Sequence, residues 1–143
     1  MSEMTEKQLI EQLTRHEGCE LMPYRDTENL LTIGIGRCID RIGISQDEAE
    51  YMLKNDLMRV KSEIHERAPW IHNLDDVRRN AFLNMAFNLG TSGLLKFQKA
   101  LSHAREGRWE DCSVELLDSK WAVQVGSRAR EIADQIRTGV YTG

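Results

Sequence analysis

The chain has 143 residues and a formal net charge of −4, with 41% hydrophobic and 29% charged residues. This ordinary globular balance excludes disordered and collagen-like chains, and the length suits one domain burying roughly 68–70% of its unfolded surface without disulfides. The acidic total weighs against a general nucleic-acid binder, and no apolar run approaches the roughly 20 residues of a membrane span.

The N-terminus, MSEMTEKQLIEQ, carries acids and lacks an apolar centre, so it predicts no signal peptide. Thr5-Glu6-Lys7-Gln8 fits a capping box and opens a helix over 5–17. Leu9, Ile10 and Leu13 mark its apolar stripe, and Gly18 stops it. Met22-Pro23-Tyr24-Arg25 reads as extended, Asp26-Thr27-Glu28-Asn29 as a turn, and Leu30 to Gly36 as a second strand. A third short strand is expected near Arg37–Asp40. Ser45-Gln46-Asp47-Glu48 is a second capping box, behind which Ala49, Leu53, Leu57, Val60 and Ile64 recur at helical spacing over about 45–66. A further helix runs from Asp75 to Gly90, a Gly-Thr-Ser-Gly loop leads to Leu94–Ala104, Gly107-Arg108-Trp109 opens another helix, and Val125-Gly126-Ser127 breaks the chain before the last. The pattern is α+β and predominantly helical, a small hairpin lobe beside a helical one.

Cys19, Cys38 and Cys112 are odd in number and far apart, which reads as reduced thiols, not a disulfide framework. Neither they nor His16, His65, His72 and His103 show metal-ligand spacing, so no metal or other cofactor is expected. From Lys120 to Arg137, four cations face two anions, a basic stretch that either meets an anionic substrate or is a solvated helix face.

Glu17 falls four residues beyond Leu13 and continues the apolar stripe. A carboxylate on a core-facing stripe must be paired or held neutral, and a helix C-terminus also disfavours its charge. Both effects push its pKa up, toward what a general acid needs; the alternative is a side chain fraying outward. Asp26 suits the first position of a turn, and Thr32 suits a strand. The glycines of Ile33-Gly34-Ile35-Gly36 weaken a strand unless another group approaches the bare backbone. Two carboxylates flanking such a strand suit glycoside hydrolysis, which needs one protonated acid and one ionised carboxylate.

The segment Glu17-Gly18, Tyr24-Arg25-Asp26-Thr27-Glu28 and Leu31-Thr32-Ile33-Gly34-Ile35-Gly36 closely resembles the lysozyme/endolysin family of T-even-like bacteriophages, glycoside hydrolase family 24. The family pattern of Glu, eight residues, Asp, five residues, Thr is matched without a gap by Glu17, Asp26 and Thr32. Leu74 to Ala81 and Asn84 to Gly90 look like the family's central helix. Arg108-Trp109, Ser119-Lys120-Trp121 and Arg137-Thr138-Gly139 look like its C-terminal motifs.

The resemblance implies a lysozyme-like domain over 1–143. It has a β-lobe at about 18–44, a linking helix at about 45–66, and a helical lobe at about 70–143 that takes in helix 5–17, with the glycan lying between the lobes. It implies a muramidase that cuts the β-1,4 bond between N-acetylmuramic acid and N-acetylglucosamine. Glu17 would be the proton donor, Asp26 a base more readily than a nucleophile, and Thr32 a holder of the attacking water. Arg128 matches the arginine that pairs with the catalytic glutamate. Cys38, Phe87, Ala100 and Glu115 fall on substrate-contact positions, and Trp121 either borders the sugar or fills the lobe. Phe87 also continues an apolar helix-spaced segment, which favours core for it. Trp70 and Trp109 read as packing.

Four positions depart from the family pattern. Arg37 replaces a histidine common in the family, Cys38 replaces a leucine, and Ala100 and Glu115 replace polar contacts. The expected biology is an endolysin: monomeric, made in the host cytoplasm, acting on periplasmic peptidoglycan strands, and needing a holin-type partner. Neither nucleic acid nor stable membrane association is expected. Alternative readings are a lytic transglycosylase, a non-catalytic wall-binding module, and a nucleic-acid binder built on Arg78-Arg79.

Overall fold

The structure, a computed structural model, describes residues 3–143. The chain divides into two compact units, Met1–Tyr51 and Met52–Gly143.

In the first unit, α1 spans Glu6–Glu17. Its capping box is complete: Gln8 N donates to Thr5 Oγ1 at 3.2 Å and Thr5 N to Gln8 Oε1 at 2.9 Å. Two of the helix's orphan amide donors are thereby satisfied. β1 (Glu20–Arg25), β2 (Leu31–Gly34) and β3 (Arg37–Cys38) form one antiparallel sheet in that order. Tyr24 stands opposite Thr32 and Arg25 opposite Leu31, and an irregularity separates this pairing from Glu20 opposite Gly34. Thr32 and Ile33 face Cys38 and Arg37 on the other side. The third strand is shorter than 37–40, because the chain turns at once into the single-turn helix α2 (Ile39–Ile42).

α1 buries none of its residues. Leu9, Ile10 and Leu13 are 43–53% exposed, and the stripe expected to face a core faces outward. A unit of about fifty residues has too little chain to enclose a stripe on one helix. Among its described residues Thr32 alone is buried.

α3 spans Gln46–Arg67, close to the expected 45–66. The second unit continues with α4 (Pro69–His72), α5 (Asp76–Leu89), α6 (Thr91–Leu95) and α7 (Gln98–Arg105). α8 (Trp109–Leu117), α9 (Lys120–Val125) and α10 (Ser127–Thr138) complete it. The apolar core lies here, around the fully buried Phe82, Ile64, Met85, Leu116 and Ile132. Each such side chain contributes roughly 1.5–3 kcal/mol of transfer free energy, and together these hold the helices.

Arg78 ties three helices of this unit together. Its Nε donates to Ile136 O at 2.7 Å and its guanidinium lies 4.4 Å from the centre of the Trp109 ring. Gly90–Gly93, expected as a loop, is largely helical: Leu94 N closes on Gly90 O at 3.0 Å, and the Thr91 hydroxyl donates to Glu63 Oε2 at 2.6 Å. No helix of the described residues is long and apolar enough to cross a membrane.

Candidate active site

The first unit brings Glu17, Asp26 and Thr32 to one strand, β2. Asp26 stands in the turn that leads into β2. Its Oδ1 accepts from Glu28 N at 2.8 Å and Leu30 N at 2.9 Å, while its backbone N donates to Leu30 O at 2.9 Å. The aspartate is thus a turn residue, as its position suggests. That role occupies one carboxylate oxygen. Among the described residues no donor reaches Oδ2, which is left for a water or a substrate hydroxyl.

Thr32, 4% exposed, sits mid-strand between Tyr24 and Cys38, with its hydroxyl donating to Leu30 O at 3.0 Å. That bond uses the hydroxyl hydrogen, so the oxygen remains an acceptor.

Glu17 approaches β2 from the other end. It is the last residue of α1 and is exposed, so the buried carboxylate expected from the stripe is not found. It rests instead against the turn between β2 and β3. A Cβ placed on Gly36 would lie 2.7 Å from Glu17 Oε2, 2.9 Å from Cδ and 3.0 Å from Cγ. A side chain there would have to displace the Glu17 carboxylate. Gly36 thus meets the close approach that the strand glycines suggest, and its φ of +69° favours glycine as well. Gly34 has the same backbone requirement, a φ of +70°, but nothing lies within 4 Å of its missing Cβ.

Arg37, next to Gly36, holds this turn. Nη1 and Nη2 fork onto Glu48 Oε1 and Oε2 at 2.8 and 2.9 Å, and Nη1 also donates to Gly43 O at 3.0 Å. Glu48 in turn completes the second capping box: its N donates to Ser45 Oγ at 3.2 Å and its Oε1 accepts from Ser45 N at 2.9 Å. The Arg37 fork, then the Ser45 amide, hold the Glu48 carboxyl down at about 2, and the hydrogen bonds to Glu48 and its charge raise Arg37 above the usual arginine value. Sequence reading noted Arg37 only as the loss of a histidine. Its bond to Glu48, eleven residues on, joins a strand to a helix start and leaves no local pattern. Cys38 stands directly opposite Thr32 and is half-buried with a free thiol.

In the second unit, Phe87 is 42% exposed and lines a cavity of about 360 Å³ with Leu53, Leu57, Asn84 and Arg128. It is not core: α5 turns its buried face through Phe82 and Met85 instead. Arg128 is held by Asn84, whose Oδ1 accepts from Nε at 3.1 Å and Nη2 at 2.8 Å. Ala100 and Glu115, distant in sequence, meet at the wall of a second cavity of about 360 Å³, together with Lys99, Asp118 and Ser119. Ala100 is itself 2% exposed and offers no polar atom, so it shapes that wall only.

Trp121 fills the lobe. It is 4% exposed, its Nε1 donates to Asn88 Oδ1 at 3.1 Å, and it packs edge-on against Phe97. Buried with its N–H satisfied, its side chain is removed from the sugar contacts. Arg78 and Arg79 form no open basic face, since Arg78 is engaged as described and Arg79 pairs with Asp76 at 3.2 Å. Among the described residues no three His, Cys, Asp or Glu side chains cluster to hold a metal.

The family profile of phage lysozyme matches residues 14–135, a span containing every residue of the β2 site. The chain belongs to the phage lysozyme family. It is 29% identical over 153 residues to "Probable T4-type lysozyme 1" of Dictyostelium discoideum, covering 86% of this chain and 89% of that protein. "Probable T4-type lysozyme 2" of the same organism is 29% identical over 160 residues, 92% of this chain and 94% of that protein. The chain is also 30% identical over 159 residues to the "Pre-baseplate central spike protein Gp5" of Enterobacteria phage T4, of which the match spans 28%. Membership in the phage lysozyme family gives this chain a lysozyme-type, glycoside-hydrolase function, and its α+β architecture is that of a lysozyme-like fold.

Proposed function

We propose that this phage-lysozyme-family chain is a muramidase of the endolysin kind, hydrolysing the β-1,4 bond between N-acetylmuramic acid and N-acetylglucosamine in peptidoglycan with inversion. Glu17 protonates the leaving glycosidic oxygen. Asp26 acts as base through its unengaged Oδ2, drawing the proton from a water that the Thr32 oxygen helps to hold. The observation that carries this reading is the arrangement about β2: one carboxylate at each end, a buried threonine between them, and a glycine kept bare where the acid rests.

In the second unit, Phe87 supplies an apolar face, with Glu115 and the Ala100 wall as further sugar contacts; Cys38 borders the water beside Thr32. Arg128, held by Asn84, keeps the supporting role that its match to the family arginine suggests. The single lysozyme-like domain acts as a monomer, accumulates in the host cytoplasm, and reaches the wall once a holin-type partner has permeabilised the membrane.

The test is digestion of purified peptidoglycan with analysis of the new chain ends. New reducing N-acetylmuramic acid ends are expected, and Glu17→Gln and Asp26→Asn are each expected to lower their release by at least about 10²-fold while the circular dichroism spectrum is unchanged. Anhydro ends would replace this reading by a lytic transglycosylase. Wall binding without any new ends would replace it by a non-catalytic module.

A further inference from the structure

We propose that the hollow where the end of α3, α4 and α7 meet in the second unit is an anion-binding site, taking the carboxylate or phosphate group of a ligand. The cavity is about 300 Å³, and Arg67, Trp70, Gln98, Ser102 and Arg105 furnish its polar and aromatic lining. No acidic residue lines it. Two arginines therefore share one hollow in a chain whose net charge is −4.

Most arginines elsewhere in this unit are covered; Arg128, held by the neutral Asn84, and Arg130 have no ion pair among the described residues, but neither lines this hollow. Arg59, Arg78, Arg79, Arg108 and Arg137 each pair with a carboxylate. Among the described ion pairs neither Arg67 nor Arg105 has one. The acid next to Arg105 in sequence, Glu106, is taken by Arg108. The two cations are nonetheless fixed in place. Arg67 Nη1 donates to Ser92 Oγ at 2.9 Å, and the Arg105 guanidinium stands 5.6 Å from the centre of the Trp70 ring. Trp70 in turn packs edge-on, at 6.3 Å, against the fully buried Phe82.

A guanidinium has five N–H donors, so one bond to Ser92 leaves Arg67 most of its fork, and stacking leaves the edge of Arg105 open. Two such forks, with the amide of Gln98 and the hydroxyl of Ser102, match a planar carboxylate or a phosphate, which accept bidentate charged hydrogen bonds. Like charges kept together without a counter-ion cost stability, and a bound anion removes that cost. Peptidoglycan carries both chemistries nearby, carboxylates on its stem peptides and phosphates on attached polyol polymers. That wall context rests on the muramidase reading, whereas the anion site itself does not.

The experiment is an NMR titration of the ¹⁵N-labelled full chain, following the Trp70 indole N–H. The probes are inorganic phosphate, a glycerol-phosphate oligomer, a stem tripeptide with free carboxylates, and the same tripeptide amidated. Saturable, salt-sensitive shifts are expected with at least one anionic probe, and affinity at least about tenfold weaker in Arg67→Gln/Arg105→Gln but unchanged in Arg130→Gln. Binding of the free but not the amidated peptide assigns the carboxylate source, and binding of the oligomer assigns the phosphate source; either supports the site. No saturable shift with any probe, or an equal loss in Arg130→Gln, overturns it. Cleavage of peptide-free glycan is measured alongside and is expected to be the same in the double variant as in the unsubstituted chain. Absence of cleavage by the unsubstituted chain would fault the muramidase reading alone.

Discussion

Gly36→Ala isolates what the β2–β3 turn does for Glu17, and Gly34→Ala is its internal control. The two glycines have φ values of +69° and +70°, so an alanine at either position carries the same left-handed backbone cost of about 1–2 kcal/mol. They differ in what the new methyl meets. At Gly34 it meets nothing within 4 Å; at Gly36 it meets Glu17 Oε2 at 2.7 Å. Ordinary contact begins near 3.5 Å, so the carboxylate must shift by about 0.8 Å. The side chain's far end is exposed and flexible, so this shift costs little stability. A displacement of about 1 Å in a reacting group, however, can cost on the order of 10² in rate. Both variants are therefore expected to lower the urea midpoint alike, while Gly36→Ala alone loses roughly 10²-fold in muropeptide release and Gly34→Ala keeps near-full activity. Equal activities for the two variants would refute the argument that Gly36 is bare for the sake of Glu17.

The remaining predictions are briefer. Asp26→Asn keeps an oxygen for the Glu28 and Leu30 amides and is expected to abolish most activity at little cost in stability, whereas Asp26→Ala loses both, with about 1–3 kcal/mol off the unfolding free energy for the orphaned donors. Comparable urea midpoints for the two substitutions would contradict this. Because the Glu48 carboxyl is depressed to about 2 in the folded chain, its contribution is present above the ordinary carboxyl value near 4.5 and is lost as pH falls from there toward about 2. Melting curves taken between pH 5 and 2 should accordingly fall less steeply for Glu48→Gln than for the unsubstituted chain; parallel curves would count against the Arg37 fork as the cause. Burial pushes the Cys112 thiol up to about 12, so in native protein a thiol reagent at pH 8 should label the exposed Cys19 first and Cys112 only in denaturant, a pattern mass spectrometry reads directly.

Features written in adjacent residues were legible. Both capping boxes were, since a cap is a contact at three residues' distance, and so were the hairpin and the helix from Asp75 to Gly90. That Glu17, Asp26 and Thr32 meet about β2 was legible through their spacing and likeness to a family; physical reading alone gave Asp26 and Thr32 ordinary structural roles and left Glu17 between an acid and a fraying side chain. What was hidden depends on distant partners. The helical turn at Thr91–Leu95 is held by Glu63, 28 residues earlier, and by burial of Leu94, so its Gly-Thr-Ser-Gly start suggests a loop. Phe87 and Trp121 each kept two readings open for a similar reason. Apolar spacing on α5 cannot tell which flank of a broad stripe meets the core, and Trp121 could be buried only because Asn88, 33 residues away, accepts its N–H. The outward face of α1 was missed because helical periodicity identifies an apolar stripe without saying what covers it.

Glu48 gives one carboxylate two tasks. Its oxygens start α3 through Ser45 and hold the strand end through Arg37, so neither feature can loosen without releasing the other. Segments wired in this way open as one unit. In hydrogen exchange, the protected amides around the β2–β3 bend and those of the first turn of α3 would then share a single exchange rate, although ten residues separate them. Gly36 would inherit the rigidity of a helix to which it does not belong.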